Sequence, residues 1–228
     1  MRKKRGYQRD TPANLARDYK LFAIACEGAQ REPTYFKLFG HLSSRIKVDV
    51  IEEVSDNESP NDQVNRSSPR WVLDRAASYV EKHGLIEEDE LWLVIDVDRW
   101  ERSILQEIAS SCDAQTNWHL ALSNPCFEVW LYFHLKADIG SSPASNCSKL
   151  KKAVSDLMLP AGYQAETIIV KLQDAIANAK AADSDPDHFF PANKQTKVYQ
   201  LAEAVLKKVG LSSFKEFLEN RLPKSKRQ

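Results

Sequence analysis

The octet Leu91-Trp92-Leu93-Val94-Ile95-Asp96-Val97-Asp98 constrains the fold more than any other stretch of the chain. Its first five residues are apolar without a break. A run that short predicts a strand buried on both faces, the kind found in parallel sheets. Residues two apart on an extended chain share a face, so Asp96 and Asp98 are expected to project together from the carboxyl end of that strand. Open α/β sheets bind ligands at this edge. Two carboxylates so close repel each other unless a proton or a cation lies between them. Mg²⁺ resolves the repulsion simply, since it takes one or two carboxylates and completes its shell with water or phosphate. The same residues also suit a strand that ends in an Asp turn, with Asp98 capping the next helix.

Composition sets few further limits. The 228 residues are 43% hydrophobic and 28% charged, enough for one sizeable core with an appended subdomain. No apolar run approaches the ~18 residues of a membrane span, and the basic start Met1-Arg2-Lys3-Lys4-Arg5 leads into no apolar signal region. Cys26, Cys112, Cys126 and Cys147 show no Cys-x-x-Cys pairing, which argues against zinc and redox motifs and for a reducing cytoplasm. The formal charge is zero but unevenly spread. Residues 1–18 form a basic arm expected to be flexible, and Lys224, Lys226 and Arg227 a basic tail. Glu52, Glu53, Asp56, Glu58 and Asp62 make an acidic segment. Basic ends can hold phosphate backbones, but solvated termini are the commoner case.

Along the chain, apolar strands and amphipathic helices alternate. Tyr19 to Cys26 reads as a strand that stops at Glu27-Gly28, and Glu32-Pro33 opens a helix. Lys47 to Glu53 alternates as a strand does, and Val54 to Pro69 reads as a loop. Ser68-Pro69 caps a helix that Gly84 ends. The central strand follows, then a helix from about Trp100 to Ser111, a strand from Trp118 to Ser123, and a helix starting at Asn124-Pro125 with Asn124 as its cap. This alternation over residues 19–138 predicts a parallel sheet flanked by helices. Beyond the Ser/Pro-rich stretch 140–145 the pattern becomes all helical. Helices are expected at 148–157, 167–182, 196–209 and 212–222, giving a helical C-terminal extension over 146–222.

In a parallel sheet Glu27 and the Asp96/Asp98 pair end their strands on one edge. Glu128, in the first turn of the helix after the fourth strand, reaches the same edge, though a glutamate there is also favoured by the helix dipole. The sequences ACEGAQREPTYFKLF, LWLVIDVDRW and LSNPCFEVWLYFHL resemble the RloB-like family of bacterial defence proteins over roughly residues 5–210. The first two carry the glutamate and Asp-x-Asp signatures of the Toprim fold, found in topoisomerases, primases and OLD-type nucleases. The resemblance implies a Toprim-like α/β domain and a Mg²⁺-dependent nuclease, with Mn²⁺ as substitute, acting on DNA or RNA, transfer RNA included. Glu27, Asp96, Asp98 and Glu128 would be its catalytic and metal-binding residues. It also implies an abortive-infection role beside an ABC/OLD-type ATPase, with a homodimer compatible. Isolated glycines give this chain no phosphate-binding loop of its own. Two rivals stand beside this expectation: a non-catalytic nucleotide or phosphate sensor of the same complex, and a primase- or topoisomerase-like enzyme. Lys180 is more simply a solvated helix lysine than a catalytic one. Asp183-Ser184-Asp185-Pro186-Asp187 lacks the glycine and closing glutamate of a calcium loop and reads as a polar turn.

Overall fold

The computed structural model describes residues 17–52, 68–140 and 146–220. The chain runs β1 (Lys20–Cys26), α1 (Arg31–Lys37), β2 (Ile46–Ile51), α2 (Pro69–His83), β3 (Glu90–Asp96), α3 (Arg102–Asp113), β4 (Trp118–Asn124) and α4 (Glu128–Phe133). It continues with α5 (Cys147–Leu157), α6 (Ala165–Ile168), α7 (Leu172–Ala182), β5 (Gln195–Thr196), α8 (Val198–Val209) and α9 (Leu211–Asn220). The sheet order is β2-β1-β3-β4-β5, parallel throughout except for β5. This is the expected α/β sheet flanked by helices, with helices at the C-terminal end.

The unbroken apolar strands follow from helices on both faces. Phe22, Ile24, Trp92 and Val94 point into a core shared with α1, α4, α5, α7, α8 and α9. Ala23, Ala25, Leu91, Leu93 and Ile95 point into a smaller one closed by α2 and α3. The C-terminal helices have no separate core, because Leu172, Ile176, Leu201 and Val205 pack in the same cluster as Trp130 of α4. At the opposite edge, buried Asp89 joins β1 to β3 by accepting from the backbone N–H of Leu21 (2.9 Å) and pairing with Arg17. Arg17 and Asp18 thus lie at the anchored start of β1. The basic arm as far as residue 16, the basic tail and the acidic segment beyond Glu52 lie outside the described residues.

Three local expectations are corrected. Asn124 does not cap a helix. It is the last residue of β4, its peptide bond to Pro125 is cis, and α4 starts at Glu128. Its backbone carbonyl accepts from Lys194 and its side chain donates to Pro191 O (3.0 Å), so it serves the pairing with β5. The helix expected over 167–182 is broken, with α6 and a 3₁₀ turn at Ile169–Lys171 before α7. The helix expected from 196 starts at Val198, because Gln195–Thr196 pair with β4 as a short antiparallel strand. The turn after α7 is polar as expected, but Asp183 is buried. It accepts from Lys197 Nζ (2.6 Å) and Tyr199 OH (2.8 Å), and Lys197 is only 1% exposed.

Tyr35 of α1 sits at the centre of the larger core, edge-on to Phe36, Phe39, Phe127 and Trp130. Its hydroxyl lies 3.0 Å from His134 Nε2, and His134 Nδ1 lies 3.0 Å from Trp130 O. A carbonyl can only accept, so Nδ1 carries the proton and Nε2 accepts from Tyr35. Burial lowers the His134 pKa to about 4, which keeps the ring neutral. This buried link fixes α1 against α4. Tyr35→Phe leaves Nε2 without its donor and is expected to cost about 1–3 kcal/mol of unfolding free energy. Urea denaturation checks this, and an unchanged midpoint would contradict it. Lys197→Met strands the Asp183 carboxylate and should cost more, about 3–5 kcal/mol by the same measurement.

Candidate active site at the carboxyl edge of the sheet

Register brings the acids to one edge. Cys26 pairs with Val94, and the Glu27 N–H donates to Val94 O (2.9 Å), so Glu27 leaves β1 beside the end of β3. Asp96 ends β3 opposite Ser123 of β4. The strand stops there. The N–H groups of Val97 and Asp98 both donate to Pro125 O, so the chain turns over the end of β4. Asp98 therefore lies on a turn and not on the strand, and it caps no helix, since Glu101 stands before α3. Asp96 and Asp98 nonetheless line one cleft of about 430 Å³ with Glu27, Glu32, Glu128 and Cys147. All four acids expected from the sequence are brought together. Lys180 is not among them. It pairs with Glu203 (2.7 Å) in a groove with Lys20 and Glu90, at the other end of β1 and β3.

Each acid is held by specific neighbours. Glu27 shares the sheet face of Ala23 and Ala25, and accepts from Trp100 Nε1 (3.0 Å) and from the Asp96 N–H (3.0 Å). Asp96 Oδ1 accepts from the Phe127 N–H (2.8 Å), which ties β3 to the entry of α4. Glu128 is buried and pairs with Arg31 Nη1 at 2.8 Å. Asp98 accepts from Cys147 Sγ (2.9 Å), and Arg99 stands 3.8 Å from its other oxygen.

Glu32 is the residue the sequence reading missed. It is buried in the first turn of α1, and its carboxylate packs directly over Gly28. A Cβ at Gly28 would overlap that carboxylate, so a larger residue there would push the Glu32 side chain aside. The signal available was the glutamate five residues after Glu27, in the first turn of the helix that follows the strand end. Arg31, Trp100, Cys147 and Lys151 were missed as well, because each acquires its place only through tertiary packing.

Five carboxylates around one cleft face few cations. Burial raises the Asp96 carboxyl well above the usual carboxylate range, and Glu32, Glu27 and Glu128 push it further. Burial, opposed in part by the Trp100 and Asp96 N–H donors, raises Glu27 to about 7, and Asp98 adds to the rise. Glu32 is raised by burial and then by Glu128. The cleft is thus short of positive charge, and its donors are hard oxygens, the set that fits a divalent cation such as Mg²⁺ or Mn²⁺. Among the described residues no three acidic, histidine or cysteine side chains close into a metal cage.

The raised values carry a sign. The fold prefers the protonated acids, so their contribution to stability is present below the unfolded-state values near 4. It is lost as pH rises, for Glu27 between about 4.5 and about 7. His134, lowered by burial, gives the opposite slope in wild type and variant alike, so a difference between them isolates the acids. Asp96→Asn keeps the acceptor for Phe127 N–H and removes the charge. Without divalent cations it should melt higher than wild type, with the gap widening toward pH 8. Mn²⁺ should stabilise wild type and not the variant. Equal melting curves at every pH, with equal Mn²⁺ response, would contradict the cluster.

The comparisons with known proteins add one finding. No curated protein and no solved structure matches the chain. A family model described as "RloB-like protein" matches residues 22–205, a span that includes every acid of the cleft. The chain belongs to the RloB-like family.

Proposed function

We propose that this protein is a Mg²⁺-dependent nuclease of Toprim type that cuts DNA or RNA as the effector of an anti-phage abortive-infection system. The observation that carries the reading is the cleft itself: Glu27, Glu32, Asp96, Asp98 and Glu128 converge at the carboxyl ends of parallel strands. Asp96 and Asp98 would hold the ion, with Glu128 and Glu32 beside them. When bound, the ion neutralises charge on a phosphodiester and lowers the pKa of attacking water.

The chain's own residues supply the rest. Glu27, held by Trp100 and the Asp96 N–H and poised near neutrality, accepts a proton from the water that attacks phosphorus, while the P–O bond to the leaving sugar oxygen breaks and that oxygen takes a proton from solvent. Arg31 holds Glu128 in place, and Lys151, lining the cleft, offsets charge on the phosphate. The defence role and an ABC/OLD-type ATPase as partner rest on the family resemblance, and the cytoplasmic setting rests on the cysteine pattern. No helix among the described residues is long and apolar enough to cross a membrane.

The test is cutting of end-labelled single-stranded DNA and bulk RNA with Mg²⁺ or Mn²⁺, with and without the partner ATPase. Cleavage should require the ion and vanish in Asp96→Asn. Glu27→Gln should lower the plateau rate about 10²–10⁴-fold with an unchanged Mn²⁺ midpoint, the signature of a proton acceptor. A shifted midpoint with full recovery at saturating Mn²⁺ would make Glu27 a ligand instead. Binding of nucleic acid without cleavage under every condition would overturn the nuclease reading.

A further inference from the structure

The loop Gly28-Ala29-Gln30 has a cleft on each side. One is the acidic site. The other, of about 490 Å³, is lined by the same three residues together with Thr34, Lys37, Glu52 and Arg75. Its charged residues are two cations, Lys37 and Arg75, and one anion, Glu52. Arg75, from α2, reaches across to donate to Cys26 O, where β1 ends, and so stands directly behind the strand that delivers Glu27. Lys37, at the last turn of α1, is more than half exposed and forms an ion pair with the Glu52 carboxylate just past β2. An anionic group of the protein already occupies the cation at the mouth of this cleft.

A polynucleotide strand carries a phosphate on each side of the one being cut. The cut phosphate belongs in the acidic cleft, where five carboxylates repel any further anion. The neighbouring phosphate needs cations within one nucleotide, and the small side chains of Gly28 and Ala29 let a backbone pass over the loop. Phosphate contacts of this kind fix the register of a strand without reading its sequence.

We propose that the Lys37–Arg75 cleft binds the phosphate adjacent to the scissile one, so that the substrate is a polynucleotide strand and not a mononucleotide, and that Glu52 competes with that phosphate for Lys37. This rests on the proposed nuclease reading for the role of the neighbouring cleft, but not for the binding itself. The Glu52 carboxylate is then an internal stand-in for phosphate. Removing it opens the subsite, and reversing Lys37 closes it.

Binding of a fluorescein-labelled single strand of about 12 nucleotides is followed by anisotropy across a salt series. The full-length chain is used in the Asp96→Asn background with chelator present, so that no cutting intervenes. Lys37→Glu should weaken binding and flatten the slope of log K against log salt by about 0.7, the loss of one phosphate contact on a single strand. Glu52→Gln should tighten binding. Lys207→Glu makes the same charge change in the groove at the opposite end of the sheet and should leave the slope unchanged. A wild-type slope for Lys37→Glu, or an equal loss in Lys207→Glu, would overturn the proposal even if the protein cuts nucleic acid. A specific loss at Lys37 in a protein that never cuts would keep the subsite and remove the nuclease. Retained melting temperature in Lys37→Glu, an exposed position, excludes misfolding as the cause.

Discussion

Everything at the functional edge depends on a sheet that is dry on both faces. Apolar helices cover β1 and β3 above and below, so the carboxylates at their ends lose much of their water. Asp96 and Glu27 are raised for this reason first, and neighbouring carboxylates add to it: Glu32 and Glu27 at Asp96, Asp98 and Glu32 at Glu27. A fold that raises Glu27, Glu32 and Asp96 in this way gives up stability at neutral pH. That cost is explained if the cluster is completed by something positive. The same burial that penalises the acids makes any cation there bind in a medium of low effective dielectric, where attraction is strong.

The rest of the architecture holds this arrangement rigid. α1 brings Arg31 and Glu32, α4 brings Glu128, and the two helices are locked behind the site by the Tyr35–His134 hydrogen bond. Asp96 itself is part of the lock, since its carboxylate receives the Phe127 N–H at the entry to α4. Glu27 is fixed on the other face by Trp100. The acids are thus positioned from both layers of helices at once. The β1–α1 loop that lies between the two clefts is small at Gly28 and Ala29, and the Glu32 carboxylate packs where a Cβ at residue 28 would be.

Much of this was legible in the sequence, for physical reasons that differ by residue. The strand Leu91–Asp96 could be read because five consecutive apolar residues admit little else at that length. The parallel sheet followed from strands and helices in alternation. Glu27 and Asp96 could be placed on one edge because strand ends of a parallel sheet share a side. Glu128 followed from the start of α4, even though the helix begins later than Asn124 suggested. What stayed hidden was set by long-range packing. Nothing local marks Gln195–Thr196 as a strand, since two residues have no period. Asn124 has the chemistry of a helix cap and is used as a sheet partner instead. Glu32 looks like an ordinary first-turn glutamate until Gly28 is seen beneath it. Lys197 looks like a surface lysine until Asp183 and Tyr199 are found around its ammonium group. Arg75 lies forty-nine positions from its acceptor.

The acids at the strand ends are proposed to hold a divalent cation. A crystal of the protein soaked in Mn²⁺ and measured at the manganese absorption edge tests it most directly. An anomalous peak is expected in the cleft, within bonding distance of a carboxylate oxygen of Asp96, with Asp98, Glu128 or Glu32 supplying a second. Peaks only at surface sites, with the cleft empty at an Mn²⁺ concentration that fills them, would contradict it.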